Sequence, residues 1–207
     1  MTTLFLIRHA ENSYIEQGRL AGWLPGIHLN SSGLAQAEAL VEVLRPVRLR
    51  AIFSSPLERS METAQPLAEA KRLEVQAFEP LLEVDFGRWA GQSLRMLRRR
   101  KLWHLVQSAP GRMRFPEGES FVEAQGRAVR AIEALTEKYR GRRSAIACFT
   151  HSDIIKLIVC HYIGMPIDCF QRLAVDPASI SVLQLHPAGV RLLALNDRMA
   201  TRASQHR

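Results

Sequence analysis

Apolar residues along the chain fall into two alternating kinds of pattern. Short unbroken runs, "LFLI" at 4–7, "AIFS" at 51–54 and "SAIACF" at 144–149, have the length and composition of strands buried on both faces. Between them, apolar positions recur at helical spacing. Leu34, Ala37, Leu40, Val41 and Leu44 mark one helix, with Asn30-Ser31-Ser32 offering an N-cap and Pro46 a stop. Residues 57–70 mark a second. Ser120 is an N-cap for a long helix reaching Tyr139, with Gly141 as its stop, and another helix follows His151 as far as Tyr162. Residues 73–78 read as a short edge strand, and 180–185 with 190–195 as a hairpin around Pro187-Ala188-Gly189. From 80 to 119 the pattern weakens. Residues 92–106 look helical, "SAPGRMRFPEGES" at 108–120 has loop composition, and this middle third reads as an insertion, about 92–118, more than as a layer of the core.

Strands alternating with helices predict a three-layer α/β/α fold with a mostly parallel central sheet, covered on both faces, and a helical and loop insertion over its site. With 207 residues, 47% apolar and 23% charged, the chain suits one domain, 1–207, ending in a polar, basic tail, about 197–207, that reads as flexible. No apolar run approaches the roughly 20 residues of a membrane helix, and Arg8 cuts short the N-terminal candidate for a signal sequence. A cytoplasmic location is the expectation. Cys148, Cys160 and Cys169 are odd in number, sit among apolar residues and lack CxxC spacing. They read as buried free thiols in a reducing compartment, not as disulfides or metal ligands.

The net charge of +8 admits nucleic acid, an anionic membrane surface or a small acidic substrate as partner. Arg98-Arg99-Arg100-Lys101 is the densest basic run, but it lacks interleaved aromatics or a recognised nucleic-acid motif, so it reads as a solvated helix face. More informative is where two buried strands end: one runs into Arg8-His9, the other into Thr150-His151. If those strands are parallel neighbours, the two imidazoles share a crevice at the carboxyl edge of the sheet. Arg59 lies at the start of the helix after "AIFSS". Two guanidinium forks beside two imidazoles suit a dianionic phosphoryl group; surface pairing of Arg59 with Glu62 on its own helix is the other reading.

Five blocks in order extend this pattern to a family. Arg8-His9-Ala10 resembles an Arg-His-Gly signature, "HLNSSGLAQA" at 28–37 the segment after it, and "SSPLERSMETA" at 54–64 the block holding a second arginine. "LLEVDFGRWAG" at 81–91 and "FTHSDIIK" at 149–156 resemble the blocks holding the acid and the second histidine. The chain thus resembles the histidine phosphatase superfamily, the phosphoglycerate-mutase-like proteins, over about three quarters of its length. The resemblance implies His9 as nucleophile, Arg8, Arg59 and His151 as holders of the phosphoryl oxygens, and Glu83 as proton donor and acceptor, with no metal and no cofactor. Asn12 and the head of the helix after His151, including Ser152, would add donors to the phosphate. Asp85 is a rival acid, and Glu83 paired with Arg88 is the structural alternative. Ala10 and Ser152 stand where the family carries glycine, so either would be crowded if its position needs positive φ.

The mutase branch carries Glu-x-x-Tyr-Gly and His-Gly-Asn, where this chain has Glu83-Val-Asp-Phe-Gly87 and His151-Ser-Asp153. "GMPIDCFQRLAVDPASISVL" at 164–183 also resembles the small-molecule, α-ribazole-phosphatase-like members. Hydrolysis of a small phosphorylated metabolite is therefore the first expectation. A phosphoglycerate mutase dependent on 2,3-bisphosphoglycerate is the alternative, and a catalytically weak phosphoryl-ligand or nucleic-acid binding module the alternative from another class. The expected partner is a small phosphorylated substrate, without metal, membrane or nucleic acid, and a homodimer is admitted. Residues 95–115, with Trp103, Phe115 and the arginine run, are expected to wall the site and select an acidic or sugar-like leaving group, with Trp23 at the entrance.

Overall fold

The computed structural model describes residues 1–140 and 144–198. Its strands are β1 (Thr2–Arg8), β2 (Ala51–Ser54), β3 (Val75–Ala77), β4 (Ser144–Thr150), β5 (Ile180–His186) and β6 (Gly189–Asp197). They form one sheet in the order β3-β2-β4-β1-β5-β6. The pairs β3/β2, β2/β4 and β4/β1 are parallel, whereas β5 pairs antiparallel with both β1 and β6. The sheet is mostly parallel, as the pattern predicts. Helices are α1 (Ser13–Glu16), α2 (Ser31–Leu44), α3 (Glu58–Lys71), α4 (Leu94–Leu97), α5 (Lys101–Ser108), α6 (Phe121–Lys138) and α7 (Ser152–Ile163).

The unbroken apolar strands are explained by burial on both sides. Ile7, Ile52, Ala147 and Phe149 pack with Leu40 and Leu44 of α2 and with Ala64 and Leu67 of α3. Leu4, Leu6, Phe53, Ile146 and Cys148 point to the other face and pack with α6 and α7 through Ala128, Ile132, Ile155 and Val159. Alternate side chains of one strand therefore enter two different cores, giving three layers. Helix ends follow the expected chemistry: the Asn30 side chain accepts from Gly33 N in α2, and Ser120 with Glu123 forms a capping box on α6. Leu34, placed on the apolar stripe of α2 by its spacing, instead faces solvent.

The middle third differs from its reading. Leu81, Val84, Phe86, Trp89, Leu97, Val106, Met113 and Phe115 all join the core of the α6–α7 face. Residues 92–106 form two helices instead of one. Leu97 and Val106, nine positions apart, would point to opposite sides of a continuous helix, and the break at 98–100 lets both be buried. The basic run is exposed as expected, but Arg98, Arg99 and Arg100 occupy this turn, not a helix face. Among the described residues no helix is long and apolar enough to cross a membrane, and Cys148, Cys160 and Cys169 are free, the first two buried. Of the expected tail, Asp197 closes β6 and Arg198 pairs with Asp176 at 3.3 Å. Residues 199–207 and the expected helix stop, Gly141, lie outside the described residues.

Candidate active site

The parallel pairing of β1 with β4 sets Arg8 opposite Thr150, and His9 N donates to Thr150 O at 2.8 Å. The two strands thus deliver His9 and His151 side by side, their ring centroids 5.2 Å apart. His151 is the N-cap of α7, fully buried behind His9. At the exit of β2, Arg59 enters the same place from the first turn of α3 and is 1% exposed. Strand ends and helix starts meet here because the chain must turn after each parallel strand.

Each imidazole is held in one protonation state. His9 Nδ1 lies 2.8 Å from Ala10 O; a carbonyl only accepts, so Nδ1 carries the proton and Nε2 presents its lone pair. His151 Nε2 meets Ser55 Oγ at 2.9 Å, and its Nδ1 faces Arg59 Nη2 at 3.4 Å. Burial first, then the neighbouring Arg59, pushes both histidines well below their ordinary pKa, with Arg8 adding to each. Both rings are therefore neutral near pH 7.

The guanidinium groups are anchored at one nitrogen and open at others. Arg59 Nη2 donates to Gly22 O at 2.7 Å and Arg8 Nη1 to Val175 O at 2.7 Å. The Arg8 Nε, Arg59 Nε, Arg59 Nη1 and Asn12 Nδ2 atoms are buried donors with no acceptor. Asn12 meanwhile uses its Oδ1 to cap α1 through Ile15 N. Buried donors are almost always paired in folded proteins, so unpaired ones beside a cavity of about 260 Å³ lined by Arg8, His9, Asn12 and Arg59 define a place for an anion with several oxygens.

Glu83 reaches the same cavity from the other side. Its Oε1 accepts from Val84 N, and its Oε2 lies 3.9 Å from His151 Nδ1. Burial, with Asp153 second, pushes its carboxyl up to about 8. The rival readings resolve differently. Asp85 turns away to accept from Gly87 N, Arg88 pairs with Glu117, and Glu62 pairs with His28 while accepting from Leu29 N. Neither Glu83–Arg88 nor Arg59–Glu62 forms. Ala10 and Ser152 are unstrained, since positive φ among the described non-glycine residues falls at Arg72, Glu117, Ala178 and Asn196. Ser152 lines the cavity and its Oγ donates to Val175 O at 3.3 Å.

The wall is not the one expected. Phe115 is 2% exposed inside the core, Trp103 is half-buried and stacks on Trp89 against it, and no residue of 95–115 lines the cavity. Tyr14, Ile15 and residues 18–22, with Phe86 and Leu94, line it instead. Trp23 is absent from the lining; its Nε1 donates to Glu83 O at 2.6 Å. Arg127 of α6, not anticipated, donates to the carbonyls of Pro80, Leu82 and Glu83 and pairs with Glu119 at 2.6 Å. Its signal was available: Arg127 interrupts the buried side of α6 between Ala124 and Ala131. Among the described residues no group of three or more His, Cys, Asp or Glu side chains is arranged to hold a metal ion.

The model of the histidine phosphatase superfamily, branch 1, matches residues 4–198. The chain belongs to this family. Among histidine phosphatase relatives, phosphoserine phosphatase 1 of Hydrogenobacter thermophilus is 29% identical over 201 residues, covering 95% of this chain and 92% of that protein. The adenosylcobalamin/α-ribazole phosphatase of Escherichia coli is 27% identical, covering 94% and 96%. In structure, the chain is similar to YhfR of Bacillus stearothermophilus, with a TM-score of 0.90 at 24% identity over 97% of this chain and 100% of the other. It is also similar to the α-ribazole phosphatase of Shigella flexneri, with a TM-score of 0.83 at 27% identity over 95% and 96%. Family, relatives and fold agree on a histidine phosphatase.

Proposed function

We propose that the chain hydrolyses phosphomonoesters in two steps through a phosphohistidine on His9. The observation that carries this reading is the neutral His9, its Nδ1 proton tied to Ala10 O and its Nε2 free, beside unpaired donors of Arg8, Asn12 and Arg59. In the first step the Nε2 lone pair attacks phosphorus in line, the ester P–O bond breaks, and the Glu83 carboxyl gives its proton to the departing alcohol oxygen. In the second, the Glu83 carboxylate takes a proton from water, the oxygen attacks phosphorus, and the P–N bond breaks to release phosphate and neutral His9. Arg8, Arg59, Asn12 and His151 hold the nonbridging oxygens, with Ser152 at the head of α7 beside them; charge stabilisation of this kind needs no metal.

The substrate is a small phosphorylated metabolite, as the names of the phosphoserine and α-ribazole phosphatase relatives support. Nucleic acid has no part in this reading, because the arginines of the site are turned inward. A homodimer and a cytoplasmic location belong to the same proposal, the latter supported by the buried free thiols; light scattering in solution decides the former. The test of the mechanism is phosphate release from a panel of phosphomonoesters in the presence of EDTA. Release is expected to resist EDTA and to fall at least about a thousandfold in His9→Ala, with acid-labile label on the wild type after quenching. Release that EDTA abolishes, or that survives in His9→Ala, refutes it, and isomerisation of 3- to 2-phosphoglycerate outpacing hydrolysis would make the chain a mutase.

A further inference from the structure

Arg8, His9, Arg59 and Glu83 account for one part of the cavity, and the rest of its lining has a different character. Tyr14, Ile15, Leu20, Ala21, Phe86 and Leu94 supply it. Tyr14, Ile15 and Ala21 are half-buried yet belong to neither hydrophobic core. Their apolar surface is therefore not retained for packing the fold; it faces the cavity.

The main chain of this wall is already spent on itself. Leu20 N donates to Gln92 O at 2.9 Å, Gly91 N to Leu20 O at 2.6 Å and Leu94 N to Gly18 O at 2.8 Å, with Arg19 bridged to Ser93. The one cation of the segment is engaged too. Arg19 donates through Nε and Nη2 to Gly91 O, at 3.1 and 2.7 Å, and lies 4.9 Å from the centre of the Tyr14 ring. On the opposite side the lining adds Asp153, whose carboxylate is already paired with Lys156 at 3.4 Å. Hydroxyl, ammonium or carboxylate groups on a bound alcohol would lose water here and meet few partners, whereas hydrocarbon would lose only unfavourable exposure.

We propose, on the strength of the phosphatase reading above, that the leaving group is apolar: an alkyl or aryl alcohol, in place of the alcohol of an amino acid, a glycerate or a sugar. The acidic or sugar-like leaving group expected from the arginine-rich segment gives way because that segment lies away from the cavity. A volume of about 260 Å³ is just below the range of about 300–1,000 Å³ common for ligand sites, which suits a compact ester.

The experiment compares kcat/KM for cyclohexylmethyl phosphate with that for glycerol 1-phosphate, phosphoserine and 3-phosphoglycerate, in the wild type and in Ile15→Asn. All are esters of primary alcohols, and cyclohexylmethanol is the most basic leaving group, so chemical reactivity works against the expected order. The apolar ester is expected to lead by at least about 30-fold, and Ile15→Asn to cut that ratio about tenfold, since the lost contact is hydrophobic and a polar group enters the wall. Hydrolysis of all the esters with the polar ones equal or ahead overturns the proposal and leaves the phosphatase reading standing. So does a preference that Ile15→Asn leaves unchanged, which would assign selection elsewhere. No hydrolysis of any ester by the folded protein overturns both.

Discussion

At the scale of single residues, the site works by bringing together two protonation states, a neutral histidine and a protonated carboxyl, that ordinary pKa values would keep apart. His9 acts when neutral, and its pKa is depressed by burial and then by Arg59 and Arg8; the acid limb of kcat/KM is therefore expected below pH 6.5. Glu83 acts when protonated, and burial next to Asp153 raises its carboxyl to about 8 against the opposing pull of Arg59 and Arg8. Activity is thus expected to fall as pH rises through about 8, and a profile of kcat/KM from about pH 4 to about pH 10 checks both limbs. Glu83→Gln removes the alkaline limb and lowers kcat/KM about 10²- to 10⁴-fold toward alkyl esters. The loss should be much smaller toward p-nitrophenyl phosphate, whose leaving oxygen needs no proton; equal losses on both esters would deny Glu83 its role as acid. Arg8, His9, Arg59, Glu83 and His151 were legible because each stands next to a strand end or in a recognisable block. Arg127 stood out only as a charge on the buried side of α6; its effect on Glu83 was hidden, since it runs through a hydrogen bond spanning 44 positions of the chain.

At the scale of elements, close approach and backbone tethers decide where those residues stand. Gly33, in the first turn of α2, lies so near the segment after His9 that an added Cβ would sit 2.0 Å from Glu11 O. Gly33→Ala is expected to destabilise the fold by about 1–3 kcal/mol, measured as a lower urea midpoint. The Glu83 segment belongs to no regular element, and its carbonyl is held by Trp23 Nε1 and by Arg127 Nη2. Trp23→Phe keeps an aromatic ring, though a smaller one, and removes the donor, so kcat should fall about tenfold with little change in KM. The alkaline limb should also move to lower pH, because a loosened Glu83 regains water; a change in thermal stability with an unmoved pH profile would reduce Trp23 to a surface contact. The strand pattern and the caps of α2 and α6 were readable locally, being set by neighbours within a few residues. The break between α4 and α5 was not, because continuous helix and broken helix differ in whether Leu97 and Val106 can both reach a core that lies elsewhere in the sequence.

At the scale of the whole molecule, the middle third proves to be structural as well as adjacent to the site. Trp89 is 1% exposed, stacks on Trp103 and meets Phe115 edge-on. Trp89→Ala is expected to cost about 3–5 kcal/mol of stability, seen as a lower transition in thermal or urea unfolding. A lid laid over a finished core would lose activity instead, with stability unchanged. The sequence by itself determined the layers, because strands covered on both faces must be apolar throughout, and it determined the paired Arg-His exits, because charged and titratable groups collect where such strands leave the sheet. Tertiary structure alone decided that β4 enters between β1 and β2, that Arg127 and Trp23 hold the Glu83 segment, and that residues 14, 15 and 18–22 wall the cavity in place of the basic run. A local pattern records which side chains avoid water; which partners they meet when they do so depends on contacts closed between distant parts of the chain.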